Sequence, residues 1–277
     1  MVGTCRGLRE GRAARRAPLS CMVAALLAAA VWEQNRPAEA IALLADRLDV
    51  LERVGLPETL LLAYRTLARI AVAEGAEPRA LQLLAELRAV AAARDLHRLG
   101  IVGLSEEVRL HAKRYRAESC AELALRIDAE IAAHAASHGS LWERQVEVLR
   151  HVAHAQAAIA AREWRRAVEP LRHAEVGATA LSLGRVGIEI KGLRAWVLSQ
   201  CGEHTAALML EAADLARASG LLRLFADAHP DLGQWHDEVL AGRNVPSTSL
   251  PAPRASAPAT GAAPVRVLPS MALTPKE

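Results

Sequence analysis

Aromatic side chains are scarce. The 277 residues contain five Trp, two Tyr and one Phe, 3% of the chain. A β-sandwich or barrel core relies on aromatic and β-branched side chains in alternating runs. Such runs are nearly absent, so sheet folds are excluded and the class is all-α. Cysteine is sparse as well: Cys5, Cys21, Cys120 and Cys201 are spread over a long helical chain. That density does not suit a disulfide scaffold and favours reduced thiols in a cytoplasmic protein. No Gly-x-x-x-x-Gly-Lys-Ser/Thr occurs, which removes the phosphate cradle of a P-loop ATPase. No nucleophile elbow is present either, nor paired carboxylates with a reason to share a pocket, and the chain is expected not to be an enzyme. The longest apolar run, Leu19 to Trp32, is too short to span a bilayer.

Alanine and leucine dominate. Alanine is the strongest helix former, and its small side chain lets helices approach closely. The net charge of +3 is unevenly distributed. Residues 1–16 carry +4 and residues 241–277 carry +3, which leaves the body, residues 17–240, at −4. An acidic body is a poor electrostatic match for a phosphate backbone, so no nucleic-acid surface is expected there. The arginine-rich start followed by an apolar run, with Ala38-Glu39-Ala40 as a cleavage-like site, has the outline of a signal peptide. The same run also fits the repeat described next, which favours the cytoplasmic reading.

The body repeats. A small residue near a helix start is followed four positions later by leucine at Ala40/Leu44, Ala80/Leu84, Ser119/Leu123, Ala167/Leu171 and Ala206/Leu210. Each pair follows a polar turn, and a helical pattern precedes every turn. The small residue lets two helices of a hairpin approach, and the leucine one turn on fills the seam. Twelve residues before the small position a second small residue is expected; Ala28, Ala68 and Ala155 comply, whereas Glu107 and Arg194 do not. This pattern predicts a TPR-like solenoid of helical hairpins over residues 19–242, with a shorter pair at about 221–228 and 231–240 divided by Pro230. Residues 1–18 form a basic segment expected to be disordered. Residues 243–272 read as a Pro/Ala/Ser-rich linker, because seven of the thirteen prolines lie between Pro246 and Pro275. Residues 273–277, Leu273-Thr274-Pro275-Lys276-Glu277, have the cap, the N1 proline and the capping-box glutamate of a new helix.

Those five residues resemble the opening of the LuxR-type DNA-binding helix-turn-helix domain. The segment from Ala213 to Asp227, with its Arg223-Leu224-Phe225-Ala226-Asp227 stretch, resembles the final helical repeat of MalT-like transcriptional regulators. The resemblance implies a regulator in which an N-terminal ATPase module holds the protein inactive. Its helical repeats bind a small-molecule inducer or a regulatory protein and self-associate, and a C-terminal domain contacts DNA. The ATPase motif and the DNA-reading helices are missing here. The resemblance therefore implies the sensing and oligomerisation region of a regulator truncated at both ends, with no cofactor and no membrane contact. A free-standing TPR scaffold for protein–protein interaction is the alternative.

Candidate ligand contacts are few. First helices of hairpins line the groove of such solenoids, which points to Tyr64, Arg65, Arg194 and Trp196; inter-repeat core is the competing role for Trp196. His134/His138 and His151/His154 have helical spacing that could serve a metal, but a Glu in a His-Glu-x-x-His arrangement is missing, and solvated histidines are the simpler reading. Cys120 near a helix start and Cys201 at a turn are structural thiols on this reading. Asp227, His229 and Asp231 imitate a triad without a nucleophile.

Overall fold

The computed structural model describes residues 16–244, so the linker expected at 243–272 falls almost wholly, and the five-residue stub at 273–277 wholly, outside the described residues. The described residues form thirteen α-helices and one 3-10 turn, with no strand among them. In chain order the helices are α1 (Pro18–Glu33), α2 (Pro37–Leu44), α3 (Leu48–Val54), α4 (Pro57–Ala73), α5 (Glu77–Ala93), α6 (His97–Ala112) and α7 (Ala117–His134). They continue with α8 (Ser140–Ala160), α9 (Trp164–Ala180), α10 (Gly184–Gln200), α11 (Ala206–Ala218), α12 (Leu224–Ala228) and α13 (Pro230–Asn244). The first helix thus begins inside the segment assigned to the basic terminus. The last runs past residue 242, and Pro230 opens α13 rather than separating two elements, as suits a residue with no N–H to contribute.

One turn chemistry is used eight times. Asn35, Gly75, Asp95, Tyr115, Arg162, Ser182, Gly202 and Gly220 all have positive φ between 52° and 91°. After each, the next residue's N–H reaches back five positions to a helix carbonyl, as in Arg36 to Val31, Ala76 to Ala71 and Glu163 to Ala158. This is the Schellman stop, which satisfies carbonyls left open at a helix end. Gly75, Asp95 and Tyr115 are twenty residues apart, and so are Arg162, Ser182 and Gly202, so the helices between them are 16 or 17 residues long. The spacing breaks where Asp46, at φ 56°, separates α2 from α3, and where α7 runs through the 3-10 turn Ala135–Ser137 into the long α8.

Most successive helices pack on one another, and α1 also packs on α4 and α6 on α8. The buried seam contains Ala40 and Leu44, Ala80 and Leu84, and Ala167 and Leu171, as the pairing pattern requires. The other two pairs need correction. In α7 Leu123 is buried as expected, but Ser119 is only partly covered, and the small residues in the seam are Cys120 and Ala124. The phase is set by the turn: the buried small residue lies five positions after the left-handed residue in Asn35/Ala40, Gly75/Ala80, Tyr115/Cys120 and Arg162/Ala167. At α11 the buried pair is Thr205 and Met209, not Ala206 and Leu210, because the turn after Gly202 is longer and the helix starts only at Ala206. Thr205 Oγ1 donates to the Ala195 carbonyl at 2.7 Å, which fixes that register. In the corrected phase the positions twelve residues earlier are Val108 and Leu193, both 0% exposed, so these repeats keep an apolar seam built from larger side chains.

The chain returns to its start. The Leu222 N–H donates to the Glu33 carbonyl at 3.1 Å. Arg223 stacks its guanidinium 4.0 Å above the Trp32 ring and bonds to Asn35. Trp32 Nε1–H donates to Asp227 Oδ2 at 2.7 Å, with both residues buried. Phe225 fills the space over Gly192 of α10, where a Cβ would lie 2.4 Å from its ring. The short α12 therefore joins the two ends of the helical array.

Candidate functional site

Inside this closed arrangement, charged side chains of four helices meet. Glu33 comes from α1, Arg65 and Arg69 from α4, Glu106 and Arg109 from α6, and Arg185 and Glu189 from α10. Arg65 Nε lies 2.9 Å from Glu106, and Arg69 lies 3.5 Å from Glu33 and 3.7 Å from Glu106. Arg109 lies 3.6 Å from Glu106 and pairs closely with Glu189. Arg185 closes the circuit at 2.6 Å from Glu33 and 3.1 Å from Glu189. Four arginines meet three glutamates, and Glu33, Arg69, Glu106, Arg109 and Glu189 are all buried. Guanidinium suits such a site, since it is weakly hydrated and its planar fork serves two carboxylates at once.

Electrostatics follow from that geometry. Burial alone would raise the Glu106 carboxyl, but Arg65, Arg109 and Arg69 outweigh it and hold the group well below the usual carboxylate range. Glu189 is likewise lowered: burial works against it, and Arg109 and Arg185 prevail. Burial and the nearby Arg185 bring Arg69 down to about 10. Lys113, at the end of α6, is lowered to about 8 by burial, with Asp227 opposing and Arg109 and Arg69 assisting. Ion pairs this dry gain little net stability, because desolvation consumes most of the Coulomb attraction. Removing one partner is costly, however, and the network therefore fixes one arrangement of the helices more than it strengthens it.

The sequence candidates are distributed around this network. Arg65 is part of it. Tyr64 is in the core and donates to Glu52 of α3. Arg194 pairs with Glu175 of α9 at 2.8 Å. Trp196 is 2% exposed and packs edge-on against Trp164 with ring centres 5.3 Å apart, which gives it the inter-repeat core role. Glu33, Arg69, Glu106, Arg109, Arg185 and Glu189 were not singled out from sequence. Their signal was available: 65/69, 106/109 and 185/189 are charged pairs at helical spacing on first helices, where the pattern expects apolar seams.

The remaining candidates are placed as follows. His134 stacks on His97 at 3.6 Å between ring centres, and His138 stacks on Trp142 at 4.5 Å. His154 lies 3.0 Å from Asp128, and His151 stacks on His173 at 5.1 Å. Among the described residues no three His, Cys, Asp or Glu side chains are grouped to hold a metal. Cys120 is fully buried, with its thiol pushed up to about 12 by burial, and Cys201 is partly covered. Asp227 faces Trp32 and Arg223, whereas His229 accepts the Asp231 N–H on Nδ1 at 3.1 Å and presents Nε2 to the Ala112 carbonyl at 3.3 Å. The carboxylates do not engage the imidazole as a triad would require.

Two cavities are relevant to ligand binding. One of about 760 Å³ lies among α7, α8 and α9, lined largely by alanine with Arg150, His151 and His154. Arg150 and His154 in its lining both engage Asp128, and Arg166 pairs with Glu163. The other, about 280 Å³, lies where the α6–α7 and α8–α9 turns meet the ends of α10 and α13. No described helix is long and apolar enough to cross a membrane. Comparison with family models, with curated proteins and with solved structures finds no match to this chain.

Proposed function

We propose that the chain is the TPR-like sensing and oligomerisation region of a MalT-like, LuxR-family transcriptional regulator. On this reading it is a helical-hairpin solenoid in the cytoplasm that binds an inducer or a regulatory protein, has no catalytic activity, and reaches DNA only through a helix-turn-helix domain that residues 273–277 would begin. The observation that carries the reading is the position of Arg223, Phe225 and Asp227. Among the residues on which the resemblance rests, Arg223 and Asp227 join the last repeat to the first through Trp32, and Phe225 packs over Gly192 of α10. A sensor needs two arrangements separated by a small free energy. A buried ionic network of low net worth, closed by one short helix, is suited to be opened by a ligand with a stronger claim on its charges. The experiment is to sequence the gene and about a kilobase on each side. A LuxR-type domain encoded directly after the Glu277 codon, with an ATPase module upstream, supports the regulator. Neither one nearby, or specific promoter binding by residues 1–277 alone, overturns it.

A free-standing TPR scaffold is favoured by one separate observation. Leu19, Val23, Leu26 and Leu27 of α1 and Ile41 of α2 are all exposed, at 40% or more. A helix that is apolar on both faces suits an interface. Sedimentation of the chain and of Val23→Glu/Leu27→Glu separates the readings: an assembly lost in the variant, with no regulator domains encoded nearby, selects the scaffold.

A further inference from the structure

Half of the chain's eight aromatic residues line one small cavity. Tyr115, Trp164, Trp196 and Trp235 border the space of about 280 Å³ at the end of α10, and Asp231 and Glu238 of α13 share its wall. Trp196 belongs to the core, and the partly exposed rings of Tyr115, Trp164 and Trp235 extend from it to the cavity. The rings come from four separate elements. Trp164 and Trp196 meet edge to face, and the Tyr115 hydroxyl holds Asp231.

A cation already occupies the rim. Arg162 places its guanidinium 4.7 Å from the Tyr115 ring centre. Its side chain is solvent-exposed and makes no ion pair among the described residues. Arg162 and Tyr115 both adopt the left-handed conformation, at φ 58° and 54°, which disfavours a residue with a Cβ. Ring faces with two carboxylates beside them attract an organic cation, and the attraction is strongest for methylated ammonium, whose weak hydration makes desolvation cheap.

We propose that this cavity is a binding site for a methylated ammonium group, which enters by displacing Arg162 from Tyr115. The partly exposed rings of Tyr115, Trp164 and Trp235 contact the methyl groups, the buried Trp196 backs them, and Asp231 and Glu238 supply the countercharge. The site stands independently of whether the chain belongs to a transcriptional regulator.

The test is a tryptophan-fluorescence titration of residues 1–277 with choline chloride, with sodium chloride at equal ionic strength as the blank. The neutral carbon analogue 3,3-dimethylbutanol has the same shape without the charge. Saturation by choline below about 10 mM is expected, with the analogue at least about tenfold weaker. Nε-trimethyllysine amide is titrated in parallel. Tighter binding than choline assigns the group to a modified protein side chain, and weaker binding assigns it to a free small molecule. Asp231→Asn and Trp235→Ala should each weaken choline about tenfold with the helical circular dichroism retained. Arg162→Gly, which relieves the turn and removes the competing cation, should tighten it about threefold. Because that variant is expected to gain affinity, misfolding cannot mimic the result. Equal responses to choline and dimethylbutanol, or no saturable response in either the parent chain or Arg162→Gly, overturns the proposal.

Discussion

Trp32 and Asp227 are 195 residues apart in sequence and are joined by a buried hydrogen bond of 2.7 Å. The indole N–H is the donor, and Arg223 covers the ring from one side while approaching the same carboxylate at 3.4 Å. A carboxylate buried where α12 meets the first helix is tolerable only while these donors hold it. Trp32→Phe keeps most of the ring and removes the donor. It should cost about 1–3 kcal/mol in urea unfolding, and an effect below a few tenths would show that the latch is not formed in solution.

The same latch can be strained without touching a polar group. Gly192→Ala places a methyl 2.4 Å from Phe225 Cε1, so the ring and α12 must move. A loss of about 1–3 kcal/mol is expected, with hydrogen exchange accelerating first in residues 221–229. Uniform acceleration along the chain would argue that α12 does not open as a unit.

Glu106 is bordered by Arg65, Arg69 and Arg109. Glu106→Gln leaves three guanidinium groups short of one countercharge and should destabilise by about 3 kcal/mol. Because the folded-state pKa of Glu106 is depressed, its stabilisation is present above the ordinary carboxylate range and is lost as pH falls below about 4. The acid limb of a stability–pH curve should therefore be shallower in the variant, and parallel curves would contradict the network.

Lys113 has the opposite dependence. Its folded-state pKa of about 8 lies below that of an exposed lysine, so between about pH 8 and 10 the unfolded chain binds the extra proton. Stability should rise with pH across that window, by up to about 1.4 kcal/mol per unit. Lys113→Met should flatten the rise and stabilise the protein at pH 7; a rise unchanged in the variant would assign it to another group.

The turns offer a paired test. Ser182, at φ 54°, gains from glycine, whereas Gly202, at φ 91°, loses from alanine. Ser182→Gly should stabilise by about 0.5–1 kcal/mol and Gly202→Ala should destabilise by about 1 kcal/mol or more, read from thermal melts.

Much of the local structure was written in the sequence. Alanine and leucine at helical spacing gave the all-α class, and the pairs at 40/44, 80/84 and 167/171 located the buried seams, because both depend on contacts within one hairpin. The phase of α7 was not legible from the small-residue pattern, since it is set by which turn residue adopts positive φ and Tyr115 is not a glycine that would mark it; the phase of α11 was not legible because the turn after Gly202 is longer than the others. Charged pairs such as Arg65/Arg69 and Arg185/Glu189 are visible in sequence, and Arg65 reads there as a groove contact, but helical spacing does not show which charge lies across from which. Only the tertiary structure brings Glu33, Glu106 and Glu189 to the same arginines, because the return of α12 to Trp32 closes the array and removes water from its inner side. The same holds for Tyr115, Trp164, Trp196 and Trp235: sequence places them on four elements, and the meeting of two turns with two helix ends makes them one cavity.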